Sequence, residues 1–303
     1  MISRVVEIAE DGRHLSLLRG FMVVTAAGDE IGRVPLDDIG VVIANAHGLS
    51  YSNNLLVALA ERGAGFVLCG ANHAPVAWVW PVIGHHAQAA RMRAQLAAKL
   101  PLRKRLWRVL VQAKIEQQAA ALDAVGQSSP GFRLLAREVR SGDPDNLEAQ
   151  AARRYWPLLL GPEFRRDRRA PGTNALLNYG YTVLRAATAR GVVAAGLHPS
   201  VALHHRSEDM GLIDDRMEPF RPSVDLLVTR LLAQGVTDVS VEAKRGLASV
   251  TALDMRTTQG TTPVVTCLER LAISLAKAYE SGEAALDLPL APLPLELPAS
   301  RQA

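Results

Sequence analysis

The character of the chain changes once, near Gly84, and that change restricts it to a β-rich first part followed by a helical one. Upstream, short apolar runs recur at 5–6, 15–18, 21–24, 31–34 and 39–43, divided by Gly12, Gly20, Gly28 and Gly40 as strands are divided by turns. One helix is predicted between them over 53–62, where Leu55, Leu56 and Leu59 share a face and Gly63 and Gly65 follow as stops. Residues 66–69 and 76–80 predict two further strands. From His86 onward Ala, Leu, Arg and Gln dominate. Helices are predicted over 86–99, 102–124, 130–140, 145–158, 173–194, 217–234 and 262–281, with Pro101, Pro130, Pro144 and Pro171 at their edges. A short two-stranded feature is expected around 239–241 and 250–252. Residues 286–303, dense in Pro and Leu and without helical period, read as a flexible or extended tail. The expected fold class is therefore α+β: a small β-rich domain over 1–84, a larger all-α domain over 85–285, and the tail.

With 303 residues, 49% of them hydrophobic and 21% charged, the chain can bury a core and falls outside the disordered class. Cys69 and Cys267 stand far apart in apolar runs. They make neither a disulfide framework nor a zinc spacing, and they suit the reducing cytoplasm. The first seven residues carry charge too early for a secretory signal. The most apolar stretch, 66–83, is broken by Gly70, Asn72, His73, Pro75 and Pro81, so no membrane span is expected.

The net charge is only +4, but the positive charge is concentrated. Arg91, Arg93, Lys99, Arg103, Lys104, Arg105 and Arg108 run without an intervening acid. Arg153, Arg154, Arg165, Arg166, Arg168 and Arg169 are opposed only by Glu163 and Asp167. An all-arginine cluster favours phosphate, because the planar guanidinium fork matches phosphate oxygens. One such cluster is as readily a solvated helix face; two in an otherwise balanced chain point to nucleic acid.

Chemistry is concentrated in a second region. His205 precedes Asp215 by ten residues, Glu218 by thirteen and Asp225 by twenty. Pro219 and Pro222 suit the first turn of a helix, where a missing N–H costs little. A helix beginning near Glu218 would put Glu218 and Asp225 on one face, with Asp215 ahead of it. Carboxylates with one imidazole suit a hard divalent cation, which phosphodiester chemistry requires. Each residue also has a plainer role open to it, the acids as a solvated helix face and the histidines as structural. His204 and His205 cannot both point into one site, and His85-His86 has no acid beside it. Gly63-Ala64-Gly65 ends a helix and is no dinucleotide fingerprint.

Several stretches then give the chain a family likeness. Residues 147–156, Leu-Glu-Ala-Gln-Ala-Ala-Arg-Arg-Tyr-Trp, resemble a signature of the CRISPR-associated spacer-acquisition integrases, the family of the universal first Cas protein. Residues 174–181, Asn-Ala-Leu-Leu-Asn-Tyr-Gly-Tyr, resemble that family's next helix. Gly196-Leu197-His198-Pro199 and the stretch from His205 to Glu218 resemble its metal-binding segment. Pro35 to Ile39, His47 to Ser50 and Gly84-His85-His86 match in the first part, and the details are most similar to the type II subgroup. The likeness covers roughly residues 1–282. It implies an N-terminal β-sandwich joined to an α-helical catalytic domain. It implies Glu148, His205 and Glu218 as catalytic ligands of Mg²⁺ or Mn²⁺, with Asp215 as the reserve for the last place, and the six arginines from Arg153 to Arg169 as DNA contacts. It further implies joining of 3′-hydroxyl ends of short foreign DNA into a CRISPR repeat by homodimers bridged by a small ferredoxin-like companion. A nuclease that only hydrolyses DNA or RNA with the same residues is the alternative.

Overall fold

A computed structural model describes residues 4–70, 75–82, 84–205 and 209–292. The first part is built on two sheets. The strands are β1 (Arg4–Ile8), β2 (Arg13–Leu18), β3 (Phe21–Ala26), β4 (Asp29–Pro35), β5 (Ile39–Ala44), β6 (Ser50–Tyr51), β7 (Gly65–Cys69) and β8 (Pro75–Val79). One sheet has the order β4-β3-β2-β6, the other β1-β5-β7-β8. Two-residue turns join β2 to β3 and β3 to β4. Arg19-Gly20 and Ala27-Gly28 take the left-handed φ values that fit a tight hairpin to the twist of its strands.

The second sheet is a middle layer. Its β1, β5 and β7 run parallel, and β5 is buried at every residue. Strand alternation explains this. Val42 and Ala44 of β5 share a core with Leu15, Met22 and Phe66 and with Leu55 and Leu59 of helix α1 (Asn53–Glu61). Val41 and Ile43 face the opposite way, into the core of the helical part. The sheet that belongs in sequence to the first part thus also floors the second.

The helical part comprises α2 (Gln88–Ala97), α3 (Leu100–Ala124), α4 (Pro130–Glu138), α5 (Leu147–Leu160), α6 (Thr173–Ala194), α7 (Gly211–Met217), α8 (Arg221–Ala233), α9 (Val241–Ala248) and α10 (Val264–Ser281). The long α6 is buried along most of its length, and α3, α8 and α10 belong to the same core. No helix among the described residues is long and apolar enough to cross a membrane.

Three expectations need correction. The stretch read as one helix over 217–234 is a 3₁₀ turn at Glu218–Phe220 followed by α8, and a separate helix, α7, runs into it from Gly211, so Asp215, expected ahead of the helix, lies within one. Residues 211–217 are buried on every side, which erases the period that would have revealed α7. The two-stranded feature near 239–252 is instead α9, capped by Ser240, whose hydroxyl accepts from Ala243 N at 3.1 Å, and a 3₁₀ turn at Ser249–Ala252. The strands lie just beyond, as β9 (Asp254–Thr257) and β10 (Gly260–Pro263), so the second part is not all-α. Finally, the beginning of the tail is extended but docked. Leu286 and Leu288 pack on the helical core, Gln117 Nε2 donates to Pro289 O at 3.1 Å, and Ala291-Pro292 form β11 beside β9. Residues 293–303 lie outside the described residues.

Candidate metal centre and basic cleft

Glu148 stands in the first turn of α5. That helix start is fixed by Asp143, whose carboxylate oxygens accept from Leu147 N at 2.9 Å and Glu148 N at 3.0 Å. The helix N-terminus also favours a carboxylate there. Glu218 stands in the 3₁₀ turn between α7 and α8 and is 5% exposed. The two acids converge on one buried cation, Lys114 of α3. Its ammonium bonds Glu148 Oε1 and lies 2.5 Å from Glu218 Oε2. Arg221 Nε donates to Glu218 Oε1 at 2.8 Å. Burial alone would raise the Glu218 carboxyl; Arg221 and Lys114 outweigh it and bring its pKa down to about 2. Burial likewise disfavours the Lys114 charge, and Glu218 and Glu148 more than offset it, so its pKa is raised.

His205 is held on a different carboxylate. Its Nδ1 lies 2.6 Å from Asp215 Oδ1. Asp215 is fully buried and also accepts from the backbone N–H groups of Leu203, His204 and His205 at 2.7, 2.9 and 3.2 Å. With both oxygens occupied, Asp215 orients the loop and the imidazole. A carboxylate only accepts, so Nδ1 carries the proton and Nε2 is the nitrogen a metal would take. Gly211 makes the loop possible, since a Cβ there would stand 2.2 Å from His205 O. His204 is spent elsewhere, stacked on Trp107 at 4.4 Å with the rings 4° apart. His85 accepts from Ala87 N and contacts Arg91, as a structural histidine does.

Two carboxylates already sharing a cation, beside an imidazole oriented through a carboxylate, form a donor set suited to Mg²⁺ or Mn²⁺. In the arrangement described, no three His, Cys, Asp or Glu side chains among the described residues are gathered closely enough to clasp an ion. Lys114 stands between the two acids. Asp225, read as sharing a face with Glu218, is separate from the pair. It is buried between the Tyr155 and Tyr181 hydroxyls, both of which donate to it, and burial pushes its pKa up to about 7 against those bonds.

Arg221, the partner of Glu218, also lines a cleft of about 760 Å³. Arg166, Arg168, Arg169, Arg185, Arg221 and Lys244 line it, against one acid among its described lining residues, Asp214, which pairs with Arg185. Three of the six arginines expected from sequence therefore meet in one place. Of these, Arg166 is partly committed to Asn174 and Asn178 at 2.9 and 2.7 Å and lies over the Tyr181 ring. Arg165 turns back on the carbonyls of Pro162 and Phe164. Arg153 and Arg154 are exposed on α5 and do not line the cleft. In the other basic run, Arg91 and Arg103 hydrogen-bond the protein's own carbonyls.

The sequence reading missed Lys114, Arg221, Arg185 and Lys244. Lys114 had a signal: it falls four residues after Leu110 and seven after Trp107, on the apolar face of α3, where a lysine needs a buried partner.

A family model described as CRISPR associated protein Cas1 matches residues 6–251. The CRISPR-associated endonuclease Cas1 of Neisseria meningitidis serogroup C (strain 8013) is 42% identical over 233 residues, 75% of this chain and 76% of that protein. Among solved structures, a casposase bound to its integration product has a TM-score of 0.78 at 19% identity, over 97% of this chain and 95% of the other. A chain of a Cas6–RT–Cas1–Cas2 complex gives 0.73 at 18% identity, over 94% of this chain and 36% of that one. Mixed sheets followed by helices, the order of the motifs and these likenesses lead to one conclusion: the chain belongs to the Cas1 family of CRISPR-associated proteins.

Proposed function

We propose that the chain is a metal-dependent integrase of CRISPR adaptation that joins 3′-hydroxyl ends of short foreign DNA into a CRISPR repeat by transesterification. The observation that carries this reading is the convergence of Glu148 and Glu218 on one cation, with Glu218 bonded to Arg221, which lines the arginine-rich cleft. Glu148, Glu218 and His205 Nε2 would hold Mg²⁺ or Mn²⁺. Such an ion, when bound, stabilises charge on the transferring phosphate and activates the attacking oxygen. Asp215 keeps the His205 ring and tautomer in place. Arg221 keeps Glu218 ionised. Arg168 and Arg169, exposed at the cleft, offer guanidinium forks to the DNA backbone. One phosphodiester is exchanged for another, so the reaction needs no nucleotide cofactor.

The proposed partners are double-stranded DNA, a second copy of the chain in a homodimer, and a small ferredoxin-like companion that bridges two dimers. The casposase caught with its integration product and the fold-related chain in a complex with Cas2 are consistent with this. The proposed site of action is the cytoplasm.

The test supplies a short duplex with free 3′ ends, repeat DNA, the companion and Mn²⁺. Joined product is expected, with loss on blocking both ends with dideoxynucleotides and in Glu148→Ala, His205→Ala and Glu218→Ala. DNA binding should survive in all three variants, since phosphate contacts elsewhere supply the affinity. Vigorous cleavage with no joined product would replace this reading by simple hydrolysis.

A further inference from the structure

Lys114 is the one component of the centre whose role the chemistry above leaves open. Resting on the metal-site reading, we infer that Lys114 is a built-in counter-ion that competes with the metal: its ammonium holds Glu148 and Glu218 together in the metal-free protein and withdraws from both when a divalent ion binds them.

Position comes first. Lys114 is 8% exposed, and its neighbours Val111 and Ile115 are fully buried, so packing fixes the rotation of α3 about its axis. α3 packs against both the turn that carries Glu218 and the helix that carries Glu148. The ammonium is therefore delivered to the point midway between the acids by the helix framework.

Charge comes second. The two carboxylates repel each other, and buried Glu218 has lost most of its water, which such a site tolerates only with a compensating cation. Arg221 serves one oxygen of Glu218 and none of Glu148. Lys114 supplies the rest, as Glu218 Oε2 has its charge at 2.5 Å but no other hydrogen-bond donor among the described residues.

Geometry comes third. Mg²⁺ binds carboxylate oxygens at about 2.0–2.1 Å, and Lys114 contacts one oxygen of each acid. An ion on those same oxygens would stand against the ammonium with like charge and no room between them. The ammonium keeps its proton and swings away as a flexible four-carbon stem permits. Metal affinity is thereby set as a difference between two cations for one pair of acids.

The experiment uses the full chain and Mn²⁺ alone, without DNA. Isothermal titration and thermal melting are run on the wild type, Lys114→Met, Lys114→Gln and His205→Ala. The lysine variants are expected to bind Mn²⁺ at least tenfold more tightly than the wild type. Their metal-free melting midpoints should fall, and saturating Mn²⁺ should recover most of the loss. Unchanged or weaker Mn²⁺ binding in the lysine variants overturns the inference and leaves the metal-site reading intact. If His205→Ala binds Mn²⁺ as the wild type does, or neither the wild type nor the lysine variants bind any, the metal-site reading itself has failed and the inference falls with it. If neither lysine variant folds even with Mn²⁺, a crystal structure of the wild type with Mn²⁺ decides. The ammonium still in contact with both carboxylates overturns the inference; the ammonium withdrawn supports it.

Discussion

At the residue scale, two aspartates ten positions apart have opposite surroundings and should respond oppositely to the same change. Asp215 is bonded by three backbone N–H groups and the His205 ring. Asp215→Asn leaves the proposed ligands in place but removes the charge that fixes the imidazole, and it should lower metal affinity and strand transfer by about 10–100-fold. Titration with Mn²⁺ beside an activity assay checks this; full affinity and activity would show that His205 needs no orienting acid. Asp225 instead sits where burial pushes its pKa up from 3.8 to about 7. Between about pH 4 and 7 the folded state keeps a proton that the unfolded state has lost, so the wild type becomes less stable as pH rises through that window. Asp225→Asn cannot titrate. The stability of the variant relative to the wild type should rise from pH 4 to 7 and then level off, which denaturant melts at successive pH values would show. A flat difference would mean that Asp225 is ionised throughout.

At the element scale, the start of the tail behaves as part of the helical body. Leu286 and Leu288 lie on its core, Gln117 bonds Pro289, and β11 extends the β9–β10 hairpin. Removing residues 286–303 should therefore lower the melting midpoint by several degrees, as expected when partly buried leucines and a strand pairing are lost together. An unchanged midpoint would return the segment to the loose extension expected from composition. The reason composition misleads here is physical. A Pro- and Leu-rich segment has no period of its own, yet an extended strand needs only a free sheet edge and a groove for alternate side chains. Short, fully buried α7 was hidden for the complementary reason, since a helix surrounded on all sides shows no polar face.

At the scale of the whole molecule, the cleft gathers charge from separate segments: Arg168 and Arg169 from the loop before α6, Arg185 from α6, Arg221 from α8 and Lys244 from α9. Arg168→Ala with Arg169→Ala should weaken DNA binding and lower the magnitude of its salt slope by about two, one for each lost phosphate contact. Both side chains are exposed, so the melting midpoint should hold. An unchanged slope would place the DNA path elsewhere. Arg166 is a poorer probe, because its bonds to Asn174 and Asn178 would be lost with the charge.

By itself the sequence determined what local pattern can carry: the break near Gly84, the strand runs before it and most of the helices after it; the acids and histidine proposed for the centre came from the family resemblance of the motifs around them. Periodicity and turn chemistry act over a few residues and are written in order along the chain. Tertiary structure alone decided which side chains meet. It chose Glu218 beside Glu148 and gave Asp215 to the imidazole. It buried Asp225 against Tyr155, 70 residues away, and brought Lys114 to Glu148 across 34. Pairing and desolvation depend on distance in space, and packing sets that distance only when the separate helices close on a common core.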